Sequence, residues 1–302
     1  SRWLAARIAE ARVKGLEGDD LAAADATAAC AKHLGANGAV EGGRDYTAPD
    51  LSRRGLRETY LPPFRAAVEA GAHCMMAAFN APDGLPTVAN AWLLTDVLRR
   101  EWGFDGPVLS DFGAVRELVV HGFARNAEDA AAQAFAAGAD VDMQSKAFVK
   151  SLPGLVRAGV VPESALDAAV RRVLRLKEAL GLFDDPSRGA QPGRAEATLF
   201  RPEHRAVAQE LAEKSAVLLK NDGGVLPFRR GVRKVALIGP IGESPADTLG
   251  PWAGRGEPSE TVTLRQGLAQ VLGAGVELSF ALNDLDIRCE TRPCEHTFEQ
   301  VV

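Results

Sequence analysis

Short apolar runs alternate with longer stretches of helical periodicity through the first half of the chain. AACAKH (28–33), HCMMAAF (73–79), the pair Val108–Leu109 and ADVDM (139–143) have the length and apolar character of buried strands. Helices are expected between them. Residues 1–14 repeat Leu4, Ile8 and Val13 at near-helical spacing, with Gly15 as the expected stop. Residues 52–70 read as a helix broken at Pro62 and Pro63 and closed by Gly71. Residues 90–100 place Leu93, Leu94, Val97 and Leu98 on one face. Asn126 is the expected start of the next helix, with Glu128 and Asp129 in its first turn and Gly138 at its end. Pro162 opens a further helix that Gly181 closes. Its Leu166, Val170, Val173, Leu174 and Leu180 are expected to pack on the domain. Four strand–helix units in succession predict a parallel α/β architecture.

The pattern changes after residue 183. Residues 184–197 are rich in Gly, Pro, Arg and Asp and read as a linker. A second α/β unit follows, with a helix over 202–213, a strand at AVLLK (216–220), strands at 234–239 and 276–281, and a helix over 263–272. The expected division is therefore 1–183, a linker at 184–197, and 198–302.

Composition narrows the function classes. With 302 residues, 46% hydrophobic and 25% charged, the chain has the balance of a folded globular protein. Its net charge of −5 comes from mixed signs, so no basic groove for nucleic acid is expected. No apolar run approaches the ~18 residues of a membrane span. Cys30 and Cys74, in apolar stretches, are expected as buried free thiols. Cys289 and Cys294, in a polar stretch, are read either as a disulfide or as two thiols. The chain has no CxxC, HExxH or GxSxG motif and no Gly-Lys dipeptide, so neither a metal nor an organic cofactor is expected.

Candidate chemistry gathers at strand ends. In PVLSDFGA (107–114) the apolar pair Val108–Leu109 runs out at Ser110 and Asp111, and Gly113 permits a tight exit. In folds of alternating strands and helices that edge is where chemistry sits, and a carboxylate fixed there can act as nucleophile or base. From spacing alone the simpler reading is that the same residue caps the following helix. Lys32 and His33 end the first run and are suited to binding hydroxyl groups, although the pair alone reads first as a solvated Lys beside a core His. A long Gly-rich loop with Arg44 and Asp45 follows them.

The runs AKHLGANGAVEGGRDY, MMAAFNAPDGLPTVANAWLLTDVLRREWGFDGPVLSDFGA, HGFARNAEDAAAQAFAAGADVDM and SAVLLKNDGGVLPF resemble family 3 of the glycoside hydrolases, closest to its bacterial β-glucosidase branch. The resemblance covers residues 1 to about 280 in the family's order. It implies part of a TIM-like (β/α) barrel followed by the start of an α/β sandwich domain. It also implies a retaining hydrolase that releases terminal β-D-glucose through a glycosyl-aspartate. On this reading Asp111 is the nucleophile and Lys32 and His33 grip sugar hydroxyls. Phe112 is an apolar sugar platform where the family often has Trp, and Arg44 and Asp45 either line the pocket or brace the loop. Phe79 stands where the family often has a Tyr that supports the nucleophile.

The resemblance further implies that the chain is a fragment lacking both ends, with the acid/base Glu beyond Val302. Glu243, Glu257 and Glu260 stand in no context that matches that acid. The implied partner is a small-molecule or oligosaccharide β-glucoside, with no nucleic acid and no membrane. The implied location is periplasmic or secreted, with a cytoplasmic address as the alternative, and the oligomeric state is unreadable. Alternative readings are a sugar-binding barrel without turnover, or a β-xylosidase or β-N-acetylhexosaminidase of the same family.

Overall fold

Three parallel strands organise the first part of the chain: β1 (Cys30–Leu34), β2 (Cys74–Ala77) and β3 (Val108–Leu109), in that order. A parallel bridge from Leu109 to Val141 adds the fourth apolar run at the edge. The structure is a computed structural model that describes residues 1–44, 48–229, 231–250 and 253–282. The chain divides at Leu199–Phe200 into two compact units.

In the first unit, α1 (Arg2–Glu17) precedes β1, and α2 (Arg53–Gly55) and α3 (Pro62–Glu69) lie between β1 and β2. A wide-turned π-helical segment, Trp92–Glu101, leads to β3. After β3 come α4 (Ala114–Val120), α5 (Ala127–Ala137), α6 (Ala147–Arg157), α7 (Glu163–Ala179) and α8 (Arg194–Thr198). The core forms where the strands meet these helices. Leu34, Met75 and Val108 join Leu93, Leu94, Val97 and Leu98 on the buried face expected from their spacing, with Val115 and Leu118 of α4 beside them. Asn126 caps α5 by accepting the Asp129 amide, and Gly138, at φ 114°, ends it in a left-handed turn.

Several expectations are corrected. α1 runs through Gly15 and ends at Gly18; an interior glycine costs a helix only about 1 kcal/mol, which packing against α3 can offset. Cys30 and Cys74 are not free thiols. They are direct partners in the β1–β2 register, and that adjacency joins them as a disulfide. Cys289 and Cys294 lie outside the described residues. On α7 only Ala169 is buried; Leu166, Val173 and Leu180 are half-buried, with Leu166 packed on the core, while Val170 and Leu174 stand exposed, so the expected apolar face is only partly covered. The stretch 184–197 holds turns and the start of α8. It is bonded to the loop after α1: Arg188 donates to the carbonyls of Leu21, Ala22 and Ala23, and Arg194 to that of Ala24.

In the second unit α9 (Pro202–Ser215) is followed by β4 (Lys234–Ile238), α10 (Pro245–Leu249), α11 (Leu264–Leu272) and β5 (Glu277–Ala281). β4 and β5 pair in parallel along their full length, and Thr263 and Gln266 form a capping box at the start of α11. The expected strand at 216–220 is absent. No described strand pairs with it, and Leu219 is 91% exposed.

One polar cluster fixes the end of the sheet. The Asp140 side chain is 1% exposed. Its Oδ2 accepts from the Val108 amide at 2.8 Å and from Arg99 Nη2 at 2.6 Å, and its Oδ1 accepts from Arg172 Nη2 at 2.6 Å and Nε at 3.0 Å. Arg99 also donates to the carbonyls of Gly106 and Gly138. Burial pulls the Arg99 guanidinium below its ordinary pKa, and Arg172 adds to that, while Asp140 opposes both. Removing one partner of such a buried pair strands the other charges. Asp140→Ala is therefore expected to destabilise the first unit by about 3–5 kcal/mol, read as a lower urea midpoint with an unchanged slope. A loss below about 1 kcal/mol would mean that the arginines find other partners.

Candidate active site

The candidate site is built on the ends of β1 and β3. Past Leu109 the chain turns sharply, and three hydrogen bonds tie that turn to segment 141–143. The Ser110 amide donates to Val141 O at 2.9 Å, the Gly113 amide donates to Met143 O at 2.8 Å, and Ser110 Oγ accepts from the Met143 amide at 2.9 Å. Ser110 Oγ also donates to the Asp111 carbonyl. Gly113 sits at φ 76°, a left-handed conformation that suits glycine, and the Ala114 amide closes the turn on Asp111 O.

Asp111 is 7% exposed. Its Oδ1 accepts from the Phe112 amide at 2.7 Å, and its Oδ2 stands 3.3 Å from His33 Nε2. One carboxylate oxygen is thus held by backbone, and the other faces the end of β1. A carboxylate held in this way has little orientational freedom to lose when it attacks.

Lys32 and His33, at the end of β1, are joined by a cis peptide. Both line a cavity of about 200 Å³ with Ala36, Asn37, Gly38, Tyr60 and Phe64. The Phe112 ring is 58% exposed beside Asp111 and offers an apolar face. The structure brings His33 to Asp111 at the ends of β1 and β3, which flank β2, while Lys32 shares the cavity with His33, and neither Asp111 nor Phe112 is among the residues lining that cavity. Arg44 lies exposed in the loop after β1 and is not among the residues lining that cavity. Asp45 lies outside the described residues. A larger cavity, about 490 Å³, lies against α6 and is lined by Phe148, Val149 and Leu152 with Asp142 and Lys146; it contains none of the expected site residues.

Sequence reasoning overlooked three groups. Ser110 braces the turn, and its signal was a hydroxyl set directly before the carboxylate in an apolar run. Asn80, at the end of β2, is 1% exposed, and its side-chain amide has no hydrogen-bond partner among the described residues. Glu117, one turn into α4, has a buried Oε2 that likewise lacks a partner among them. Among the described residues no group of His, Cys, Asp and Glu is arranged to hold a metal ion.

The model of the glycosyl hydrolase family 3 N-terminal domain matches residues 1–176, and that of the family's C-terminal domain matches residues 216–300. A periplasmic beta-glucosidase of Salmonella typhimurium is 38% identical over 282 residues, covering 92% of this chain and 37% of the relative. A xylan 1,4-beta-xylosidase of Xylanibacter ruminicola is 34% identical over 263 residues, covering 85% of this chain and 30% of the relative. The crystal structure of a beta-glucosidase from Listeria innocua in complex with isofagomine matches with a TM-score of 0.82 at 38% identity, covering 92% of this chain and 39% of that one. The chain thus spans well under half the length of these relatives.

Ser110 carries a clear test. Ser110→Ala removes both bonds of a fully buried hydroxyl and leaves the Met143 amide without its acceptor, at a cost of about 1–3 kcal/mol. Chemical denaturation should show that loss, together with faster hydrogen exchange at the Met143 amide. Unchanged exchange there would mean that the hydroxyl does not hold the turn.

Proposed function

We propose that this chain, which belongs to glycoside hydrolase family 3, carries the nucleophile and part of the sugar pocket of a retaining β-glucosidase. The observation that supports it most is Asp111. It is a buried carboxylate at a strand end, held on one oxygen by backbone and faced on the other by His33.

In the first step an Asp111 oxygen attacks the anomeric carbon as the glycosidic C–O bond breaks. The leaving oxygen keeps the bonding electron pair and takes a proton from a general acid, and a glycosyl-aspartate ester remains. Water then attacks the same carbon, the ester C–O bond breaks, the Asp111 carboxylate is restored, and the water's proton passes to the acid's conjugate base. His33 orients the attacking oxygen, and Lys32 donates to a hydroxyl of the sugar. Phe112 supplies an apolar surface for the C–H face of the ring.

Sugar binding by the relatives supports the substrate class. Solved Listeria innocua beta-glucosidase structures are complexes with laminaribiose and with glucose. A terminal β-D-glucosyl group is therefore the proposed substrate, and the β-xylosyl group is the competing reading that the xylosidase relative supplies. A periplasmic address is the proposed location. The periplasmic relative supports it, and so does the Cys30–Cys74 disulfide, since disulfides persist in oxidising compartments.

An aryl β-glucoside with a good leaving group tests the reading, because its departure needs little help from an acid. Cleavage should exceed that of the matching β-xyloside in kcat/KM, and Asp111→Ala should lower it by about a thousand-fold or more. Faster cleavage of the xyloside would reassign the sugar. Full activity in Asp111→Ala would remove the nucleophile. Saturable sugar binding with no cleavage by either protein would favour a binding role.

A further inference from the structure

Glu117 takes no part in the chemistry described above. It sits one turn into α4, the helix that starts where the Asp111 turn ends. The Ala114 amide bonds to the Asp111 carbonyl and the Glu117 amide to that of Gly113, so the turn and the helix start form one hydrogen-bonded unit. Side chains on a helix lean back toward its N-terminus. The Glu117 carboxyl is therefore directed over the turn that carries Asp111, and the two carboxyls interact electrostatically. Its Oε2 is buried with no hydrogen-bond partner among the described residues.

The surroundings favour the uncharged form. Burial raises the Glu117 pKa above its ordinary value, and the charge of Asp111 raises it further, while His121 and Arg116 on its own helix oppose this. α5, which packs on α4, turns Ala130, Ala131 and Ala134 inward and buries no titratable group. A bare carboxylate oxygen in this place would lack a donor and would face a second carboxylate. Its relief is to swing toward water, which pulls on the first turn of α4.

We propose that Glu117 is a positioning residue for Asp111: its half-buried carboxyl, with one oxygen shut away from any donor among the described residues, sits on the helix turn that follows the nucleophile, and its ionisation loosens that turn and misplaces Asp111. This rests on Asp111 being the nucleophile. The linkage has a definite sign. Glu117 holds its proton more tightly folded than unfolded, so its contribution to stability is complete below the unfolded carboxyl value. It is lost as pH rises through the folded value.

Two measurements on the full chain test this. The first is an NMR titration of the Glu117 side-chain carboxyl, in the protein and in Asp111→Asn. The midpoint should lie above the ordinary glutamate range and fall when the Asp111 charge is removed. A midpoint in the ordinary range, or one unmoved by Asp111→Asn, overturns the proposal. The second is the pH profile of aryl β-glucoside kcat in the protein and in Glu117→Gln. The wild-type rate should fall several-fold as pH rises through the Glu117 midpoint, and Glu117→Gln, which keeps an uncharged group of similar shape, should lose that fall. An identical fall in both proteins overturns the positioning role. If neither protein cleaves the glucoside, the nucleophile reading fails, and the titration still decides whether Glu117 is coupled to Asp111.

Discussion

Asp140 receives hydrogen bonds from three directions, and the position of the candidate site depends on them. Arg99 brings the helical segment before β3, Arg172 brings α7, and the Val108 amide brings β3 itself. A buried carboxylate with two guanidinium partners gains little net stability, because desolvation offsets most of the attraction. Its value lies in geometry. β3 has only two residues in ladder pairing, too few to hold their own end in register. The Asp140 cluster holds the start of that strand, and the Ser110 and Gly113 bonds to segment 141–143 hold its far end. Asp111 thus issues from a strand pinned on both sides.

The consequence for chemistry is that rigidity precedes reactivity. Asp111 is presented by backbone hydrogen bonds, and the residues around it divide the work. On the proposed reading His33 and Lys32 approach from β1 and Phe112 supplies the apolar face, and Glu117 sits one turn into the helix that follows. Two carboxyls near one another are most useful when their environments separate their protonation states. The same region holds one carboxyl with a backbone donor, Asp111, and one, Glu117, with a buried oxygen that has no donor among the described residues.

Much of this was legible in the amino-acid sequence because local rules and tertiary packing agree. The runs at 28–33, at 73–79 and before Ser110 became β1 to β3, and Asn126 and Gly138 bound α5 as caps should. The placement of Asp111 at a strand end followed from Val108–Leu109 and Gly113. What escaped depends on distant partners. The Cys30–Cys74 disulfide needs the β1–β2 register, which spacing along the chain does not reveal. α6 starts at a left-handed Lys146, contains Pro153, and receives Asp142 from outside its own N-cap, so it shows no start signal. ADVDM read only as a short strand, yet its Asp140 is the group that two arginines and an amide require.

The central claim is that Asp111 forms a covalent bond to the sugar. Treating the protein with an activated 2-deoxy-2-fluoro-β-glucoside tests it most directly, because the fluorine slows hydrolysis of the ester more than its formation. Intact mass and a peptide map then locate the adduct. The account predicts a single fluoroglucosyl group on the peptide that holds Asp111. An adduct on a different carboxylate, or none in a protein that cleaves aryl β-glucosides, would contradict it.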